Sequence, residues 1–201
     1  MPSLDYDIVL LPEEDIAAKA IRTSEELAPL GTEFTLSPTS PVPHVSLYMT
    51  RLKTDDLPEA EKRLAEIAAR TPKMHLESDG YVQEEGYIDA NYIRTSEAAQ
   101  LQETIVQAIN PLRDGLRPRD IPKLENATGL VRKNLETWGY RSVGELFRPH
   151  LTFTRFTRRQ PIPLEDMGAP TAFSGRFLKL ALFEMGPHGT CIRKIKEFPL
   201  Q

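Results

Sequence analysis

The chain predicts an α+β fold assembled from two related lobes. Three observations carry that expectation. Strand-like and helix-like periodicities alternate along the 201 residues, the order strand, helix, histidine-bearing strand occurs twice, and no low-complexity linker separates the two occurrences. With 40% apolar and 27% charged residues, the composition is that of a globular protein long enough to bury its own core as one domain, residues 1–201.

Taken in order, residues 6–11 read as a buried strand. Residues 14–30 follow as a helix with Ile16, Ala20, Ser24 and Leu27 down one side, and Gly31 is its stop signal. The loop LSPTSPVP then delivers a first histidine strand, PHVSLYM. Pro58 near a helix start, with Leu57, Ala60, Leu64, Ile67 and Ala68 on one face, marks an amphipathic helix ending near Arg70. Strands are expected at about residues 73–81 and 87–94, then a helix at 97–110 closed by Pro111. The repeat thus runs from Ile8 to His44 and again from Tyr92 to His150. The longer second copy places an insertion at about residues 114–147, with a helix of its own at 127–138. From Arg117 to Arg148 there are seven Lys/Arg against four acids, a locally basic stretch in an acidic protein. Residues 175–199 read as a hairpin turning at GPHGT.

Composition excludes several function classes. A net charge of −4 offers no basic footprint for sequence-independent binding to a long duplex. Cys191 is the only cysteine, which excludes an intramolecular disulfide framework and any multi-cysteine metal cluster. The N-terminal stretch has only the apolar run Ile8 to Leu11 before acids intervene, so neither a signal peptide nor a membrane span is expected. A cytoplasmic protein is the expectation.

The chemistry concentrates in two short stretches, PHVSLY at 43–48 and PHLTFT at 149–154. Successive strand side chains point to opposite faces, so His44, Ser46 and Tyr48 share one face, and His150, Thr152 and Thr154 share another. Histidine and hydroxyl are then about 6.6 Å apart at Cα, close enough to lean on one phosphate. Chance supplies on the order of 0.02 such Pro-His-apolar-Ser/Thr matches at this composition, and the chain has the step twice.

On HVSL at 44–47 and HLTF at 150–153 the chain resembles the two-histidine (2H) phosphoesterase superfamily, which includes bacterial 2′-5′ RNA ligase and cyclic nucleotide phosphodiesterase enzymes. The resemblance implies a bilobal, pseudo-twofold α+β fold with two antiparallel sheets facing a central cleft and helices outside. It implies His44 and His150 as catalytic acid and base, and no required metal or cofactor. Physical chemistry agrees with that assignment. In-line cleavage of a phosphodiester needs a base on the attacking oxygen and an acid on the leaving oxygen, and imidazole titrates near neutrality. Ser46 and Thr152 are expected to donate to the non-bridging oxygens.

Tyr48, Thr154 and Arg155 are further candidates for substrate contact, Arg155 from the opposite face by alternation. Tyr92 and Trp138 read as core aromatics, His75 as a strand residue and His188 as a turn residue. The four histidines show no close metal-ligand spacing such as H-x-x-x-H. The expected activity is metal-independent hydrolysis of a 2′,3′-cyclic phosphate or another RNA-type phosphodiester. Its alternatives are a nucleotide- or RNA-end-binding module with little turnover, and 2′-5′ RNA end joining. A nucleotide or RNA-end substrate, no membrane, no obligate protein partner and a monomeric state are expected.

Overall fold

The computed structural model describes residues 2–201. In chain order its elements are β1 (Ser3–Pro12), α1 (Glu14–Leu27), β2 (Val45–Lys53), α2 (Leu57–Ala68), β3 (Met74–Leu76), β4 (Ser78–Glu84) and β5 (Tyr87–Tyr92). There follow α3 (Ser96–Ile109), α4 (Ile121–Asn126), α5 (Gly129–Trp138), β6 (His150–Arg155), β7 (Gly175–Met185) and β8 (Cys191–Pro199). Every ladder is antiparallel, in the order β3-β7-β1-β2-β6-β5-β4, with β8 also on β7. The expected α+β class is the one observed. Hydrogen bonding joins all eight strands into one sheet, seven on a single path and β8 beside β7, yet the halves meet only at the single pair Val45–Leu151. The chain segments preceding that junction carry the two histidines to it.

Alternation fixes which face each half shows the cleft. On β1, Tyr6, Ile8 and Leu10 enter the main core, so Asp7 and Val9 point the other way. On β5, Ile88, Ala90 and Tyr92 do the same, leaving Tyr87 and Asp89 opposite. The helices cover the core side across the junction, α1 packing on β6 and α3 on β2. Thr95 caps α3 by accepting from the Ala98 amide. The predicted helix at 127–138 is α5, preceded by the unexpected short α4. Gly139 ends α5 at φ 67°, where a Cβ would meet the Arg113 side chain at 2.7 Å, and the chain turns Tyr140 back toward the sheet.

One feature of both histidine strands was invisible to alternation. Ile8 faces Tyr48 while Val9 faces Ser46, leaving Leu47 as an extra residue in β2. Likewise Ile88 faces Thr154 while Asp89 faces Thr152, leaving Phe153 extra in β6. The same one-residue bulge follows the hydroxyl in each half. Aligned on these bulges, Ile88 rather than Tyr92 corresponds to Ile8, which corrects the start of the second copy by four residues.

Candidate active site

The cleft face of the sheet and the inserted segment enclose a cavity of ≈ 1030 Å³ lined by His44, Ser46, His150 and Thr152 together. Each imidazole is pinned in the same way. His44 Nδ1 lies 2.8 Å from the Val42 carbonyl and His150 Nδ1 lies 2.7 Å from the Arg148 carbonyl. A carbonyl only accepts, so Nδ1 carries the hydrogen in both rings and Nε2 of the neutral ring is a free base.

Behind the motif stand two buried carboxylates that sequence reasoning missed. Ser46 Oγ donates to Asp7 Oδ2 at 2.6 Å, and Thr152 Oγ1 donates to Asp89 Oδ1 at 2.7 Å. Both hydroxyl protons are therefore committed to carboxylates here, and the lone pairs rather than the protons are spare. That corrects the simple expectation of two ready donors. The halves then diverge. Asp89 has Arg148 Nη2 at 3.2 Å from its second oxygen, whereas Asp7 Oδ1 has no hydrogen-bond partner among the described residues. Burial pushes the Asp7 carboxyl up to about 7, against the lowering hydrogen bond from Ser46 and the nearby Arg117 charge. Burial likewise drives the His44 imidazole down to about 4, with the Val42 carbonyl opposing and His150 adding to the fall. The signal for both acids was present in the sequence as a charged residue inside a strand pattern, YDIVLL and YIDANY.

Three weaker candidates change position because of the bulges. Tyr48 is fully buried, its hydroxyl donating to the Trp138 carbonyl at 2.6 Å, and Met49 takes its place on the cleft wall. Thr154 is fully buried, donating to the Phe34 carbonyl at 2.5 Å. Neither can touch a ligand in the cleft. Arg155 moves onto the cleft side, opposite Tyr87, but its guanidinium lies over that ring at 5.4 Å and 3.5 Å from Glu33. It reaches the cleft only through Tyr87. Tyr92 is core, donating to the Phe173 carbonyl, and His75 lies away from the cleft on β3. His188, expected as a turn residue, occupies that turn at φ 60° and also lines the cleft, stacked on Phe34.

The insertion supplies the facing wall. Arg117 is buried there with its Nη2 2.5 Å from Asp120 Oδ2 and its guanidinium 5.5 Å from the Tyr140 ring centre. Arg119, Lys123 and Arg141 line the same wall, while Arg132 pairs with Glu136 at 2.9 Å and, like Lys133, is not part of it. Cationic side chains thus line one wall of the cleft that holds both imidazoles, Arg117 and Lys123 sharing Asp120, and the cavity suits an anion with an organic portion.

The family model of the 2'-5' RNA ligase superfamily matches residues 17–173 of this chain. No curated protein matches it. Among solved structures, TT0787 of Thermus thermophilus is 19% identical with a TM-score of 0.59, over 98% of both chains. Escherichia coli LigT, solved in complex with 3'-AMP, is 12% identical with a TM-score of 0.62, over 100% of this chain and 99% of that one. At such identities the likeness concerns the fold. Among the described residues, no helix is long and apolar enough to cross a membrane.

Proposed function

This chain belongs to the 2'-5' RNA ligase superfamily, and on that premise we propose that it hydrolyses a 2′,3′-cyclic phosphate or another RNA-type phosphodiester by two-histidine acid–base catalysis. The observation that carries the proposal is the pair of imidazoles on one cleft, each with Nδ1 fixed by a backbone carbonyl and Nε2 free. LigT has been solved with 3'-AMP, NADP+ and ATP, and the cationic wall of this cleft supports a nucleotide-type substrate for this chain.

The two halves are unequal, and that inequality supports different roles for the two histidines. His44 is held neutral by burial, so it is the base that removes a proton from the attacking water. An anionic phosphate seated beside it strengthens that base. His150, protonated on both ring nitrogens, gives its Nε2 proton to the departing ribose oxygen. The product is a phosphomonoester. Ser46 and Thr152 sit between phosphate and carboxylate, and protonation of Asp7 frees the Ser46 hydrogen for a non-bridging oxygen.

The test uses purified protein in EDTA against cyclic mononucleotides, RNA ends bearing a cyclic phosphate, and 2′-5′ dinucleotides. His44→Ala and His150→Ala should each lose roughly 10²–10⁴-fold in rate while remaining folded. Activity abolished by EDTA and restored by zinc would overturn the proposal.

A further inference from the structure

Three side chains from separate elements converge behind the first motif. Asp7 of β1, His44 before β2 and Cys191 at the start of β8 each bring one ligand-type atom to within 4.8 Å of the other two. Asp7 Oδ2 is 3.7 Å from His44 Nε2. Asp7 and Cys191 are completely buried, and Ser46 satisfies only one oxygen of Asp7. The other, Oδ1, is buried without a partner among the described residues. Such an atom calls for a specific explanation, and a bound ion is one of the few available.

We propose that Asp7, His44 and Cys191 form a binding site for a single zinc-class divalent cation, whose arrival silences the cleft by taking His44 Nε2. The silencing half rests on the acid–base reading above; the binding half does not.

The donor set suits such a cation. One thiolate, one imidazole nitrogen and one carboxylate oxygen are ligands of borderline-soft Zn²⁺ rather than of Mg²⁺ or Ca²⁺. The charges balance, because a 2+ ion with one thiolate, one carboxylate and a neutral ring leaves a buried site with no net charge. Burial and the neighbouring Asp7 keep the Cys191 thiol protonated on its own. The cation replaces that proton, which leaves to solvent. Tetrahedral zinc holds such N, O and S ligand atoms roughly 3.3–3.6 Å apart, so atoms now within 4.8 Å of one another need to close in by up to about 1.5 Å. Their supports are already in place. The Val42 carbonyl fixes the His44 ring, and the Val42 amide donates to the Cys191 carbonyl at 3.3 Å. A water from the cleft can complete the coordination.

Cobalt(II) reports the site without reference to activity. The wild-type protein should bind one Co²⁺ per chain with a thiolate-to-metal charge-transfer band, and Zn²⁺ should displace it. Cys191→Ala, which touches no substrate, should keep metal-free turnover within about twofold. It should lose the band and resist zinc at least tenfold better. Asp7→Asn gives a second check by weakening Co²⁺ binding with Cys191 intact. Cobalt bound without the band, or equal zinc inhibition of wild type and Cys191→Ala, would overturn the proposal. A normal cobalt spectrum in a protein that cleaves no phosphodiester would instead sink the proposed function and leave the site standing.

Discussion

Asp7 and His44 are neighbours whose burial acts on stability in opposite directions. Folded Asp7 keeps a proton up to about pH 7. The unfolded chain releases that proton near pH 4, so this carboxyl withdraws stability as pH rises between the two values. Folded His44 refuses a proton down to about pH 4. An unfolded imidazole accepts one below about 6.5, so His44 returns stability as pH rises over nearly the same window. The two offset each other in the wild type. Asp7→Asn keeps an acceptor for Ser46 but cannot ionise, so melting curves in EDTA should show its Tm climbing through that window and exceeding the wild type's at about pH 8. A wild-type-to-variant difference that is constant with pH would show that Asp7 is not a buried acid. Kinetics offers a companion check. If His44 is the base, the acid limb of kcat/KM should lie near pH 4, and an acid limb at a distinctly higher pH would take that role from His44.

The bulge is the element that decides what each histidine strand shows its ligand. It keeps His44 and Ser46 on the cleft, then buries Tyr48 and brings Met49 forward. Tyr48 thereby ties β2 to the end of α5, its hydroxyl donating to the Trp138 carbonyl at 2.6 Å with Asn110 Oδ1 3.1 Å away. Tyr48→Phe should cost about 1–3 kcal/mol of stability through the unsatisfied buried carbonyl, and leave kcat and KM within about twofold. Denaturant unfolding beside steady-state assays separates the possibilities. A tenfold rise in KM at unchanged stability would make Tyr48 a substrate contact after all.

At the scale of the molecule, the insertion turns an open sheet surface into a walled cleft. Its basic character was legible, but which cations face inward was not. Arg119 and Arg141 are exposed on the wall, whereas Arg132 and Lys133 look elsewhere. Reversing Arg119 and Arg141 to Glu should raise KM for an RNA oligomer ending in a cyclic phosphate and flatten its salt dependence, since each neutralised phosphate steepens that slope. A cyclic mononucleotide should respond little, and the Arg132/Lys133 double reversal should affect neither substrate. Equal responses from oligomer and mononucleotide would mean that the natural substrate is a small molecule.

The α+β class, most of the elements and the two His-x-Ser/Thr steps were determined by the sequence alone, because each depends on local periodicity or on turn residues, whereas the one strand expected at 73–81 is two, β3 on β7 and β4 on β5, and α4 was not expected. HVSL and HLTF are read on their own strands, and no distant residue is needed to see them. Tertiary structure decided the rest. Register between strands set the bulges at Leu47 and Phe153, and so exchanged Tyr48 for Met49 and retired Thr154 to the core. Packing of β1 and β5 beside the histidine strands brought Asp7 under Ser46 and Asp89 under Thr152, contacts made across 39 and 63 residues of chain. The pairing of β8 with β7 carried Cys191 to Asp7. A local pattern cannot encode such meetings. They depend on which strands lie side by side, and burial at those meetings is what displaces the proton affinities of Asp7 and His44.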